Sequence, residues 1–224
     1  MKIINLIPFI PFFIISLIHL YYCYTMELFE KGISKTLLMP FLIIGYYFVV
    51  EKIKYNVILC FFFHWWGDIF FIFDNSYYYA VFCFWIGDII NSYEFIKKIK
   101  NFKINNFLIS FIPTIPFVLY YGNFMFAKHV DTFMVFVFYG YIIPLYLMVL
   151  FSITIFLEDK NKNNFFLMIG CILFIFSDCS VIWVSFTERY KFDSLVIMIT
   201  YLIAEMGIIN WYIDNATVEK IKNK

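Results

Sequence analysis

Charge is what this sequence lacks. Of its 224 residues only 15% are Asp, Glu, Lys or Arg, where a soluble domain carries about a quarter. The formal net charge is +1, which excludes the broad basic field of a nucleic-acid-binding protein. Histidine is scarce too. His19, His64 and His129 stand far apart, which argues against a histidine-rich zinc site and leaves aspartate ligation open. The five cysteines (Cys23, Cys60, Cys83, Cys171 and Cys179) lie in apolar runs without C-x-x-C spacing. They read as small buried thiols. Polar stretches long enough for an extramembrane domain are missing as well. The connections 51–55, 74–76, 97–106 and 158–164 are brief, so any active site has to be built from apolar segments and their ends.

What is present is apolar surface. The chain is 63% hydrophobic and 25% aromatic, with 32 Phe and 18 Tyr, too many for one small aqueous core. Lipid as the solvent accommodates them. Apolar runs of roughly 20 residues cross the hydrocarbon core as helices, because unpaired backbone is not tolerated there. Spans are predicted near 3–24, 36–50, 56–73, 77–95, 107–122, 133–157, 165–186 and 194–213. The first run resembles a signal peptide but continues without a small-residue cleavage site, so it is expected to be retained. Twelve of the 17 basic residues, among them Lys52, Lys54, Lys97, Lys98, Lys100 and Lys103, fall on the side of the N-terminus. Positive charge stays cytoplasmic. The fold expected is an all-α integral membrane protein, a bundle of about eight transmembrane helices forming a single domain over residues 1–224, with both termini cytoplasmic. On that topology the sequon Asn215-Ala216-Thr217 stays unglycosylated.

Ionisable groups inside such spans cost about 2.5–3.5 kcal/mol each on insertion scales and are functional candidates by default. His64 and Asp68 fall in the third predicted span, Asp88 in the fourth, Asp178 in the seventh and Glu205 in the eighth, with Lys35 at the start of the second. Asp68 and Asp178 lie about 12 and 13 residues into their spans, roughly 18–20 Å from the cytoplasmic edge. Asp88 and Glu205 are each about 11 residues in from the opposite side. Lys35 and the four acids are therefore expected to meet in one cavity. His64 precedes Asp68 by four residues and shares its helix face. For Asp68 and Asp178 the competing reading is interhelical hydrogen bonding without chemistry. The five tryptophans are read as packing or interface residues.

These residues carry a resemblance. Ser34-Lys35-Thr36-Leu37-Leu38-Met39-Pro40 looks like the K-P-L-L-M-P signature opening the second span of the YhhN-like lysoplasmalogenase family. Gly67-Asp68 resembles its first aspartate motif, Phe174-Ile175-Phe176-Ser177-Asp178 its F-x-x-S-D, and Tyr201-Leu202-Ile203-Ala204-Glu205 its Y-x-x-A-Q. The four occur in the family's order. The chain departs from the pattern at Thr36 for proline, Asp88 for histidine, Asn91 for tyrosine and Glu205 for glutamine.

The resemblance implies an eight-span hydrolase of internal membranes, such as the endoplasmic reticulum, that splits the vinyl ether of lysoplasmalogens into a fatty aldehyde and a glycerophospho-alcohol. By motif, Asp68 and Asp178 are the catalytic pair and Lys35 is the substrate-binding residue of the site; His64, Asp88 and Glu205 are read as supporting residues from their place within the spans. No cofactor or metal is implied. The partners are a lysophospholipid and the bilayer, with no nucleic acid. Vinyl ether hydrolysis needs one carboxylic acid to protonate carbon and one carboxylate to steady the oxocarbenium ion and activate water. Two close carboxyls in a low dielectric cannot both ionise easily, the logic that separates acid from base in glycosidases. The pair is expected to share a proton, and Lys35 to meet the substrate phosphate as a point charge. The rival readings are a hydrolase of another ether or amide lipid, a proton-coupled transporter using the same acids as a relay, and a non-catalytic multi-span protein.

Overall fold

In a computed structural model of the chain, residues 6–26, 28–73, 76–100, 103–112, 115, 119, 132–186, 189 and 191–222 are described. Among them there is no strand. A short 3₁₀ turn, Ile7–Phe9, leads into α1 (Ile10–Thr25); α2 (Leu28–Val49), α3 (Tyr55–Phe70), α4 (Tyr77–Ile96), α5 (Ile104–Phe111), α6 (Thr132–Glu158), α7 (Lys162–Phe186) and α8 (Asp193–Lys222) follow. Prolines at the first helical positions set the 3₁₀ turn and α1 going. Met26, in the left-handed conformation at φ 62°, ends α1 and turns the chain back into α2.

The distribution of polarity is inverted relative to a soluble protein. Leu17, Phe48, Phe82, Ile143 and Ile203 are each more than half exposed on the outside, whereas His64, Asp68, Asp88, Asn91 and Glu205 are buried within. An outer surface of that kind needs lipid against it. Five helical segments are long and apolar enough to cross a membrane: Ile7–Thr25, Glu30–Val49, Gly140–Glu158, Lys162–Val184 and Asp193–Ala216. The third and fourth expected spans are helical as read, but α3 has 16 residues, about 24 Å, and α4 carries Asn91, Ser92, Asp88 and Glu94 along its length. Half of the fifth expected span, Pro113 and Pro116 included, lies outside the described residues, as do Lys128 and His129.

Neighbour packing runs α1–α2, α2–α3, α3–α4, α4–α6, α6–α7, α7–α8 and α8–α1, with α5 laid against α6. Seven helices thus close a ring around an interior, and that interior is where the acids point. Small residues let the helices approach. A Cβ on Gly207 would stand 2.9 Å from the carbonyl oxygen of Phe166 and 3.2 Å from Cα of Gly170, so α7 and α8 touch backbone to backbone. Gly67 and Gly87 do the same for rings, admitting Phe84 and His64 where a methyl would sit 2.5 and 2.3 Å from ring carbons.

Candidate functional site

Lys35 does not open α2, as the hydropathy profile suggests. The helix begins at Leu28, which puts Lys35 seven residues in, about 10 Å along the axis. From there its Nζ reaches 3.1 Å from Oδ1 of Asp68 on α3. Tyr201 of α8 donates its hydroxyl to Oδ2 at 3.0 Å. Both carboxylate oxygens are thereby engaged, and Asp68 is 1% exposed against 20% for Lys35. The ammonium also lies 5.0 Å over the Phe71 ring, an arrangement that stabilises a desolvated cation.

One turn back on α3, His64 faces the same interior and meets two other acids. Its Nδ1 is 2.8 Å from Oε1 of Glu205, and its Nε2 is 3.5 Å from Oδ1 of Asp88. All three side chains are fully buried. The imidazole sits between the rings of Phe84 and Phe174, with centroids 5.4 and 5.3 Å away. Both oxygens of Asp88 and Oε2 of Glu205 lack a hydrogen-bond partner. The 3.5 Å approach to His64 is longer than an ordinary N–H···O hydrogen bond.

Asp178 comes from α7 and accepts a short hydrogen bond from the hydroxyl of Tyr141 on α6. It lines a narrow cleft of about 10 Å³ with Phe71, Tyr77, Phe84, Tyr141 and Ile182, room for about one water. The next residue back, Ser177, donates to the backbone carbonyl of Ile197 at 3.1 Å, tying this turn of α7 to α8.

The two aspartates thus reach one aromatic cluster from opposite parts of the chain. Phe71 touches Lys35 and lines the Asp178 cleft, while Phe84 lines that cleft and packs edge-on against Tyr201, centroids 6.4 Å apart. Each acid has its own partner, however: Asp68 the Lys35 ammonium and a phenol, Asp178 a phenol alone. The interior gathers four carboxyls (Asp68, Asp88, Asp178 and Glu205) with Lys35 and His64 as the bases facing them.

Two tyrosines were not among the expected site residues. Tyr201 is signalled by its place one turn before Glu205 on the same helix face. Tyr141 carries no signal that separates it from the chain's 17 other tyrosines. Elsewhere His19 is buried and bonds Ser34 Oγ at 2.8 Å, away from the acids. The five cysteines are free and buried. Asn91, one of the departures from the family pattern, accepts from Tyr212 at 2.8 Å. Trp211, expected as packing, is buried and donates to Asn164 at 2.9 Å.

No curated protein and no solved structure matches this chain. A sequence model of the YhhN family matches residues 31–211, a stretch that contains Lys35, His64, Asp68, Asp88, Asp178 and Glu205. By that match over most of its length, this α-helical membrane protein belongs to the YhhN family.

Proposed function

We propose that the protein is a lysoplasmalogenase-like hydrolase, embedded in an internal membrane as eight spans with both termini cytoplasmic, that cleaves the vinyl ether bond of lysoplasmalogens. One observation carries the reading. Two acids remote in sequence, Asp68 and Asp178, each oriented by a tyrosine hydroxyl, face the same apolar cluster beside a partly exposed ammonium.

In this reading Asp178 is the acid. Tyr141 occupies one of its oxygens, and the rings of Phe71, Tyr77 and Phe84 that narrow the cleft beside the carboxyl move apart to admit the vinyl ether. Its proton passes to the β-carbon, leaving an oxocarbenium ion on the former enol ether carbon and oxygen. Asp68, held against Lys35, is the carboxylate that faces this cation and takes a proton from the attacking water. As the hemiacetal collapses, Asp68 gives the proton it took from water to the departing glycerol oxygen and Asp178 takes the proton of the hemiacetal hydroxyl, so one water is consumed, aldehyde and glycerophospho-alcohol are released and both acids are reset. Lys35 is placed to meet the substrate phosphate while remaining against Asp68.

The test is release of free aldehyde from lysoplasmenyl-ethanolamine by protein purified in detergent, for wild type, Asp68→Asn and Asp178→Asn. Wild-type activity with loss of at least 100-fold in both variants is expected. A fully active Asn variant removes that acid from the mechanism. A silent wild type removes the substrate assignment and returns the buried acids to the transport reading, which counterflow in liposomes then tests. Thiol-reactive labelling at position 35, accessible from the non-cytoplasmic side only, is the outcome expected of the proposed topology.

A further inference from the structure

Pro40 stands in the middle of α2, within a run of helix that continues on both sides. Proline has no backbone N–H, so the carbonyl four residues earlier, that of Thr36, has no i+4 donor in its own helix. In a hydrocarbon layer water is not at hand to replace it. The replacement comes from the neighbouring helix. Trp65 of α3 donates its indole Nε1–H to the Thr36 carbonyl oxygen at 2.7 Å. The indole is steadied by Phe62 and Trp66, with ring centroids 5.9 Å away in both cases. Pro40 is the one proline of α2, and the carbonyl it frees is the one the indole meets. An indole that only fills space has no reason to aim its donor there.

Thr36 directly follows Lys35, and Trp65 precedes Asp68 by three residues on one face of α3. Two bonds from that face, indole to Thr36 and carboxylate to Lys35, thus hold adjacent residues of α2. A helix hinges where its ladder is broken, and here the break is closed beside the lysine that faces Asp68. We propose that Trp65 is a positioning residue of the site: it supplies the hydrogen bond that Pro40 takes from α2 and so keeps Lys35 against Asp68. The repair of the helix is independent of any reaction, whereas its effect on catalysis rests on the hydrolysis proposed above.

The experiment is a pair of double-variant cycles on the full-length protein in detergent, read by thermal unfolding and by aldehyde release. Trp65→Phe is expected to lower Tm by about 5 °C and kcat/KM by about 10-fold. Trp66→Phe trims an indole whose contacts among the described residues are with rings, and it should change Tm by no more than about 2 °C. Pro40→Ala gives α2 back its N–H, so in that background Trp65→Phe is expected to cost less than half as much Tm. Lys35→Met is expected to cost at least about 2 °C less in the Trp65→Phe protein than in wild type, because the pair it breaks is already loosened. In activity, Trp65→Phe should add less than about threefold to the loss caused by Lys35→Met. Should Trp65→Phe fail to fold, recovery of a folded protein by adding Pro40→Ala supports the proposal, and failure of both overturns it. Equal penalties for Trp65→Phe and Trp66→Phe, an undiminished penalty in the Pro40→Ala background, or simple additivity with Lys35→Met also overturns it. A wild type that releases no aldehyde removes the hydrolytic reading alone, and the two Tm cycles still decide this one.

Discussion

Replacing Lys35 with Met keeps most of the side chain's apolar bulk and removes the one cation against Asp68. The N–O separation of 3.1 Å corresponds to about 5 kcal/mol of attraction at an effective dielectric of 20. Two corrections lower the net cost. Lys35 is 20% exposed, so part of that attraction is screened, and Asp68 keeps its hydrogen bond from Tyr201. Breaking a buried pair by removing one partner typically costs about 3–5 kcal/mol, and the lower end, about 3 kcal/mol, is expected here. For a chain of this size that is a fall in Tm of about 6–12 °C. The diagnostic comparison is Lys35→Met/Asp68→Asn. Asn still accepts from Tyr201 and carries no charge to strand, so the double variant should recover at least half of the loss, even though it is catalytically dead. Thermal or denaturant unfolding in detergent, monitored by tryptophan fluorescence, reads both. A Lys35→Met protein within about 1 kcal/mol of wild type, or a double variant less stable than the single, refutes the buried ion pair.

Tyr201→Phe deletes the hydroxyl that orients Asp68 and leaves the ring packed against Phe84 and Phe174. A hydrogen bond to a charged group is worth about 1.5–3 kcal/mol, so aldehyde release should fall by about 10- to 100-fold with the fold intact by near-ultraviolet circular dichroism; unchanged activity dismisses the phenol as a positioning group. Gly207→Val brings side-chain carbon against the backbone of Phe166 and Gly170 at 2.9 and 3.2 Å. Backbone cannot yield as a rotamer does, so α7 and α8 must separate, at a cost of about 1–3 kcal/mol; a variant as stable as wild type contradicts the close approach.

The helices were legible because lipid imposes one secondary structure on any long apolar run. The α2 boundary was not, and the reason is local. Residues 28–35 include Glu30, Lys31, Ser34 and Lys35, which a hydropathy reading assigns to a connection. In the structure Ser34 folds its hydroxyl onto the carbonyls of Glu30 and Lys31 at 2.8 and 3.1 Å, and Lys35 is matched by Asp68. Polar residues satisfied by their own helix or by a partner across the ring do not end a helix, but only the tertiary structure reveals the partner. The same limit applies at the site. Depth along each span brought the four acids to one region, because 1.5 Å per residue is a fixed ruler. Depth is silent on azimuth, so neither the Tyr141–Asp178 bond nor the Glu205 contact of His64 followed from it.

Those contacts bring two of the departures from the resembled motifs, Asp88 and Glu205, against one residue, His64. Across the ring, α3 and α8 are joined by two rungs, Asp68 to Tyr201 and His64 to Glu205. Each rung is four residues from the other on both helices, in opposite order, as antiparallel helices require. The family pattern places histidine at position 88 and glutamine at 205. Here carboxylates stand at both, and both face the same imidazole, at 3.5 and 2.8 Å. Gly87 clears the space that imidazole occupies. The interior therefore holds an acid–imidazole–acid triad built on α3, α4 and α8. A buried carboxyl at either position is tolerable only while a polar partner reaches it, and His64 is the side chain that reaches both. The two rungs thus differ in chemistry: Asp68 meets an ammonium and a phenol, whereas His64 stands between two carboxyls.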